Sequence, residues 1–230
     1  MRYAIKIVIV LSFLNGPINA QEEVKEVDLN YLEDQFYVGL TYNFILNKPE
    51  GIRQQNLSYG LQFGFIKDLP LNAARTFAIG LGLGYAVNSY YTNLKIVEFG
   101  NDFQYSILES DLGAKRNKLE THLIEIPIEI RFRNSTPTEY KFWRLYLGAK
   151  LGYAFGNRSK LVTDIGKDSF YVTDVEKFRY GLMANFGYNT FNIHVYYALN
   201  NLFKNGLTLE DTGQDLNFTP LRVGLIFYIL

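Results

Sequence analysis

Cysteine is missing from all 230 residues. Its absence excludes disulfides, thiolate catalysis and Cys-based zinc sites, and it suits a chain that crosses an oxidising compartment unfolded. Net charge is missing as well, since 23 Lys and Arg balance 23 Asp and Glu; no basic excess points to nucleic acid. Beyond the N-terminus no apolar run is long enough for a membrane helix. The mature chain is therefore either soluble after export or crosses a membrane as strands.

Aromatic residues are plentiful. Eighteen Tyr, eighteen Phe and one Trp make up 16% of the chain, a composition of strands and of membrane interfaces. Residues 1–20 read as a secretory signal. Arg2 and Lys6 supply the positive end, 7–14 is a short apolar run, Gly16 and Pro17 break it, and Ala20 is a small residue at the cleavage position. No Cys follows, which rules out a lipoprotein anchor. Residues 21–34 are acidic and lack alternation, so a short periplasmic N-terminal segment is expected. Residues 35–230 form the remaining domain.

In that domain a period of two appears. In 35–44, Phe36, Val38, Leu40, Tyr42 and Phe44 alternate with Gln35, Tyr37, Gly39, Thr41 and Asn43. Side chains of a strand point alternately to opposite faces, so one face is apolar and the other polar or small. The pattern returns in 57–66, 77–87, 121–132, 143–155, 178–187, 191–200 and 221–230. Each run is near the length at which a tilted strand crosses a bilayer. The links at 67–74, 133–141 and 188–190 are short and carry turn formers such as Asp68, Pro70, Asn134 and Asn189, whereas 47–56, 88–118, 156–177 and 201–218 are longer on average. Short periplasmic turns alternating with long extracellular loops are expected of an outer-membrane barrel.

Aromatics gather near the run ends, among them Tyr42, Tyr85, Trp143, Tyr153, Phe155, Tyr188 and Phe191, where interfacial girdles would lie. A soluble barrel would place its bulky face inside, but the lumen of eight strands is too narrow for a continuous layer of rings. The fold expected is thus all-β: an eight-stranded antiparallel, up-and-down transmembrane β-barrel, greasy outside, in the outer membrane of a Gram-negative cell.

The polar phase directs Glu125, Glu129, Arg144, Lys150, Arg179, His194 and Arg222 into the lumen. Buried charges must pair, so these residues form either a polar plug that stiffens the barrel or a charged selector in a narrow pore or ligand pocket. His122 shares a phase with Glu120, but Ile occupies position 124 and no hydroxyl nucleophile is evident beside them; an interface role is expected, with no catalytic residue. Gly80, Gly82 and Gly84 precede no helix and thus make no phosphate loop; they let inward-facing backbone pack closely. Asp102, Asp111, Asp164 and Asp168 lack calcium-loop spacing. No cofactor is expected. Loops 88–118 and 156–177 mix charge with Phe, Tyr and Ile, as either a contact surface for envelope proteins or a solvated hairpin would.

The segments HLIEIPIEIRFR (122–133), LYLGAKLGYAFG (145–156), GLMANFGY (181–188) and TPLRVGLIFYIL (219–230) resemble the PorT-like outer-membrane β-barrel family. The most specific element is Glu125-Ile126-Pro127-Ile128. The resemblance covers essentially the whole mature chain. It implies a non-enzymatic accessory or assembly role in protein secretion, linked to gliding motility; the alternative is a small porin-like pore or ligand-binding barrel.

Overall fold

The computed structural model describes residues 34–100, 102–108, 113–134 and 142–229. The expected signal, most of the N-terminal segment, Asp111 and the terminal Leu230 lie outside the described residues. The strands are β1 (Gln35–Leu46), β2 (Tyr59–Pro70), β3 (Phe77–Tyr91), β4 (Leu94–Phe99), β5 (Asp102–Ile107), β6 (Arg116–Arg133), β7 (Trp143–Val162), β8 (Lys167–Tyr171), β9 (Phe178–Tyr188), β10 (Phe191–Ala198) and β11 (Thr219–Ile229). Eight of them close a ring in the order β1-β2-β3-β6-β7-β9-β10-β11, and β11 pairs back onto β1. All these pairings are antiparallel. Closure leaves no open edge in the ring.

The phase of every run is as the alternation implies. Phe36 is 62% exposed on the outer face and its neighbour Tyr37 is buried within. Outside, aromatic contacts form two bands. At the short-turn end Phe36 meets Phe65, Phe77 meets Phe132, and Trp143 meets Phe186 and Tyr188, with centroids 5.0–5.3 Å apart. At the long-loop end Tyr42 meets Phe44 and Tyr153 meets Phe178, at 4.6 and 5.4 Å.

Inside, small residues make room for large ones. Tyr37, Gly64, Gly84 and Glu125 sit in one lateral row across β1, β2, β3 and β6. A Cβ on Gly64 would stand 2.7 Å from the Tyr37 ring and 2.6 Å from the Gly84 Cα. Gly64 and Gly84 are thus the recess into which Tyr37 folds, while Gly80 and Gly82 of β3 make room for Arg131, Ile66 and Pro127. The two-residue turn 189–190 places Asn189 at φ 54°, a left-handed conformation that Asn tolerates.

Several boundaries differ from those read in the sequence. First, β2 runs through Lys67–Pro70, so Asp68 is no turn residue; Pro70 is tolerated because it is the strand's last residue. Second, β6 extends through Arg133, so the link expected at 133–141 begins one residue later. Third, the loops expected at 88–118 and 156–177 begin inside strands. β3 continues to Tyr91, β6 starts at Arg116 and β7 reaches Val162. The remainder holds the separate β4–β5 hairpin and β8, which pairs with the end of β7. A bulge at His122 against Gly156 shifts the register there.

Above the long-loop end these elements build a second core. Ile45, Ile52, Tyr90, Leu94, Ile96, Tyr105, Leu119, Val172, Val175, Phe203, Leu209 and Phe218 are among its buried members. Phe203 packs edge-on against both Tyr105 and Phe218. Each such side chain contributes about 2 kcal/mol of apolar burial, enough to make the loops a folded cap rather than separate strings.

Candidate functional site

The seven charged residues expected in the lumen are all buried in it, but they do not form one continuous line. Glu125 on β6 holds two cations at once. Its Oε1 lies 2.9 Å from Arg222 Nη2 and its Oε2 3.1 Å from Lys150 Nζ. Lys150 also donates to Gln62 Oε1 at 2.7 Å. The Arg222 guanidinium lies over the Tyr196 ring, 3.9 Å from its centroid. This triad spans β6, β7 and β11, opposite walls of the ring.

Nearer the short turns is a second layer. Arg131 bridges Glu129 and Asp68, each at 2.9 Å. Arg133 meets both oxygens of Asp68, at 2.7 and 2.8 Å, and donates to the Arg75 carbonyl. The other Glu129 oxygen accepts from Asn185 at 3.2 Å, and the Asn185 Oδ1 lies 2.5 Å from His194 Nδ1. Asp68, Arg131 and Arg133 were not among the charges singled out from the sequence. Arg131 carries the polar phase and could have been included; Asp68 was hidden by its resemblance to a turn former, and Arg133 by its place at a strand end.

Arg144 and Arg179 belong to neither layer. Arg144 donates to the Asn189 carbonyl at 2.5 Å, beneath the Phe142 ring. Arg179 donates to the Asn201 carbonyl at 2.6 Å. They secure a turn and the base of the cap at opposite ends of the barrel. Between the Arg222 layer and the cap is a cavity of about 10 Å³, lined by Asn88, Tyr90, Thr121, Arg179 and Tyr196 among others. That volume is at the limit for one water molecule. Among the described residues the interior is a stack of ion pairs under an apolar stopper, an arrangement that ties together strands from across the ring.

On the outer wall, His122 Nδ1 lies 2.6 Å from the Tyr85 hydroxyl and Nε2 3.6 Å from Glu120 Oε1. A hydroxyl absent from the sequence reading does stand nearby: Ser89, paired across β3–β6 with Glu120, donates to its Oε2 at 3.1 Å. Ser89 is fully buried and bonded to the acid instead of the imidazole, so the nucleophile–base contact that hydrolysis requires is missing. Burial would raise the Glu120 carboxyl, but Lys118, by hydrogen bond and charge, and Ser89 hold it below its ordinary value. In the cap, Tyr105 donates to Asp174 at 3.0 Å; burial first, then that carboxylate, pushes the phenol up.

A family described as the outer membrane protein beta-barrel domain matches residues 19–204. Among solved structures the chain is similar to Ail, the attachment invasion locus protein of Yersinia pestis, in a crystal structure with the heparin analogue sucrose octasulfate. Identity is 14%, 85% of this chain and 99% of that chain are covered, and the TM-score is 0.32. No curated protein matches.

Proposed function

The chain belongs to the outer membrane protein beta-barrel domain family, and on that premise we propose that it is a closed, non-enzymatic scaffold that presents a folded extracellular cap to other envelope proteins. A bacterial outer membrane is its location, with lipid against the apolar wall. The short turns are taken as periplasmic and the cap as extracellular.

The observation that carries this reading is the filled lumen. A pore needs a continuous wet path, whereas here the triad around Glu125, the Asp68 layer and the cap core lie one above another. What remains available for function is the surface. At the cap's hairpin ends, Phe99 is 71% and Ile165 94% exposed, and apolar side chains held out in this way are suited to a partner's surface. The PorT-like segments favour a place in protein secretion as an accessory or assembly component.

Two measurements test the proposal. Reconstituted in planar bilayers, the protein gives no single-channel current above background; steady unitary currents would restore the pore reading. Cross-linking in native membranes, with the wild type against F99S/I165S, yields defined adducts that the variant loses. Adducts insensitive to both substitutions would remove the cap from the interaction.

A further inference from the structure

The strands β6, β7 and β8 rise past the outer aromatic band, and there the outward face changes character. Below lie Ile124 and Ile126 of β6 and Leu151 and Tyr153 of β7. Tyr85, His122 and Phe155 follow, with centroids 6.1–6.2 Å apart. Above them Lys118, Arg158, Lys160 and Lys167 converge with Glu120 and Ser169 around a cavity of about 90 Å³. Register places Lys118 opposite Lys160, and Lys160 opposite Ser169. Arg158 donates to Ser169 Oγ at 2.7 Å, which fixes the guanidinium beside the cavity. Among the described residues the carboxylate facing the group is Glu120, already engaged by Lys118 and close to His122. Lys167, before any other group, depresses the proton affinity of Lys160, with Arg116 and Lys118 adding to the effect. Like charges held together in this way favour an anion between them.

A second feature lies beneath, on β6, β7 and the neighbouring β9. An apolar groove of about 340 Å³ is lined by Ile124, Ile126, Leu151, Tyr153, Phe178 and Tyr180. Lys118 is separated from Ile124 by six residues of β6, roughly 20 Å of strand. An anion-binding cluster over an acyl-sized groove matches a lipid whose phosphate sits at headgroup height, and a free phosphate would leave the groove unused.

We propose that Lys118, Arg158, Lys160, Lys167 and Ser169 bind the phosphate of an outer-leaflet glycolipid whose acyl chain lies in the groove between β6, β7 and β9. The probe is diphosphoryl lipid A, titrated into the full-length mature protein in detergent and read by native mass spectrometry. Dephosphorylated lipid A and inorganic phosphate form separate arms. Diphosphoryl lipid A should be retained, and K160A/K167A should weaken it roughly 30-fold, since each cation near the surface contributes a similar factor. K167A alone should weaken it roughly fivefold. K48A/K204A, away from the cluster, should leave retention unchanged. Equal retention of the dephosphorylated lipid, or wild-type retention by K160A/K167A and K167A, overturns the site. Inorganic phosphate binding as tightly as the lipid overturns the lipid assignment. Heat-dependent gel mobility of each variant establishes that its barrel is closed.

Discussion

Replacing Glu125 by Gln removes the negative charge at the centre of the lumen. The side chain keeps its shape but loses its charge and one of its two acceptor atoms, because the amide nitrogen only donates. Lys150 and Arg222, each about 3 Å from that carboxylate, are then two buried cations with no acid between them. Removing one partner of a buried ion pair costs about 3–5 kcal/mol, because the remaining charge is left uncompensated. Removing all three charges avoids that penalty. E125M/K150M/R222M should cost less, about 1–3 kcal/mol, mostly from Gln62 losing its Lys150 donor. Urea unfolding in phospholipid vesicles, followed by the mobility of unheated samples on SDS gels, measures both. The order is the decisive result: the single neutral substitution must be worse than the triple. If E125Q unfolds within about 1 kcal/mol of the wild type, or the triple variant is the less stable of the two, the triad does not hold the barrel as described.

Other substitutions probe separate layers. Asp68→Asn removes the charge shared by Arg131 and Arg133. Glu129 and the Arg75 carbonyl remain as partial substitutes, so the loss should fall near about 3 kcal/mol, read by the same unfolding assay. Gly84→Val fills the recess of Tyr37 and should cost about 1–3 kcal/mol by overpacking; Tyr37→Leu in the same chain should recover part of it. Tyr105→Phe leaves Asp174 without its buried donor and should speed protease cleavage of the cap while leaving the barrel's heat-dependent mobility unchanged. Because the folded phenol titrates above its unfolded value of about 10, its contribution to the cap is fully present below that pH. It declines as the pH rises further, so protease resistance should fall on the alkaline side in the wild type and less so in Tyr105→Phe.

The wall of the barrel was legible because lipid imposes one rule on every outward position. Phe36, Val38, Leu40 and their counterparts on seven other strands must be apolar wherever hydrocarbon touches them, and the period of two follows. The lumen was legible by type but not by pairing. Alternation places Glu125 and Lys150 inside, yet only the register of β6 on β7 and the closure of β11 on β1 show that one carboxylate holds cations from opposite walls. Asp68 was misread because Asp and Pro are turn formers in general, and nothing local reveals that this Asp faces two arginines from β6.

The cap was the least legible part, and β6 shows why. From Ile124 to Ile130 its even positions are greasy and its odd ones carry Glu125 and Glu129. Above His122 the assignment reverses, with Lys118 and Glu120 outward and Leu119 buried beneath the cap. The strand continues, but the surroundings have exchanged places: water now lies outside and an apolar core inside. On β7 the bulge opposite His122 adds a further change, moving the outward phase from Tyr153 and Phe155 to Arg158 and Lys160. A strand whose polarity inverts while its phase shifts shows no single periodicity, so a pattern read as one face against another stops at the membrane surface. The strand itself continues, and it is in that continuation that the charged cluster and the apolar cap, the two surfaces proposed to meet lipid and protein, are built.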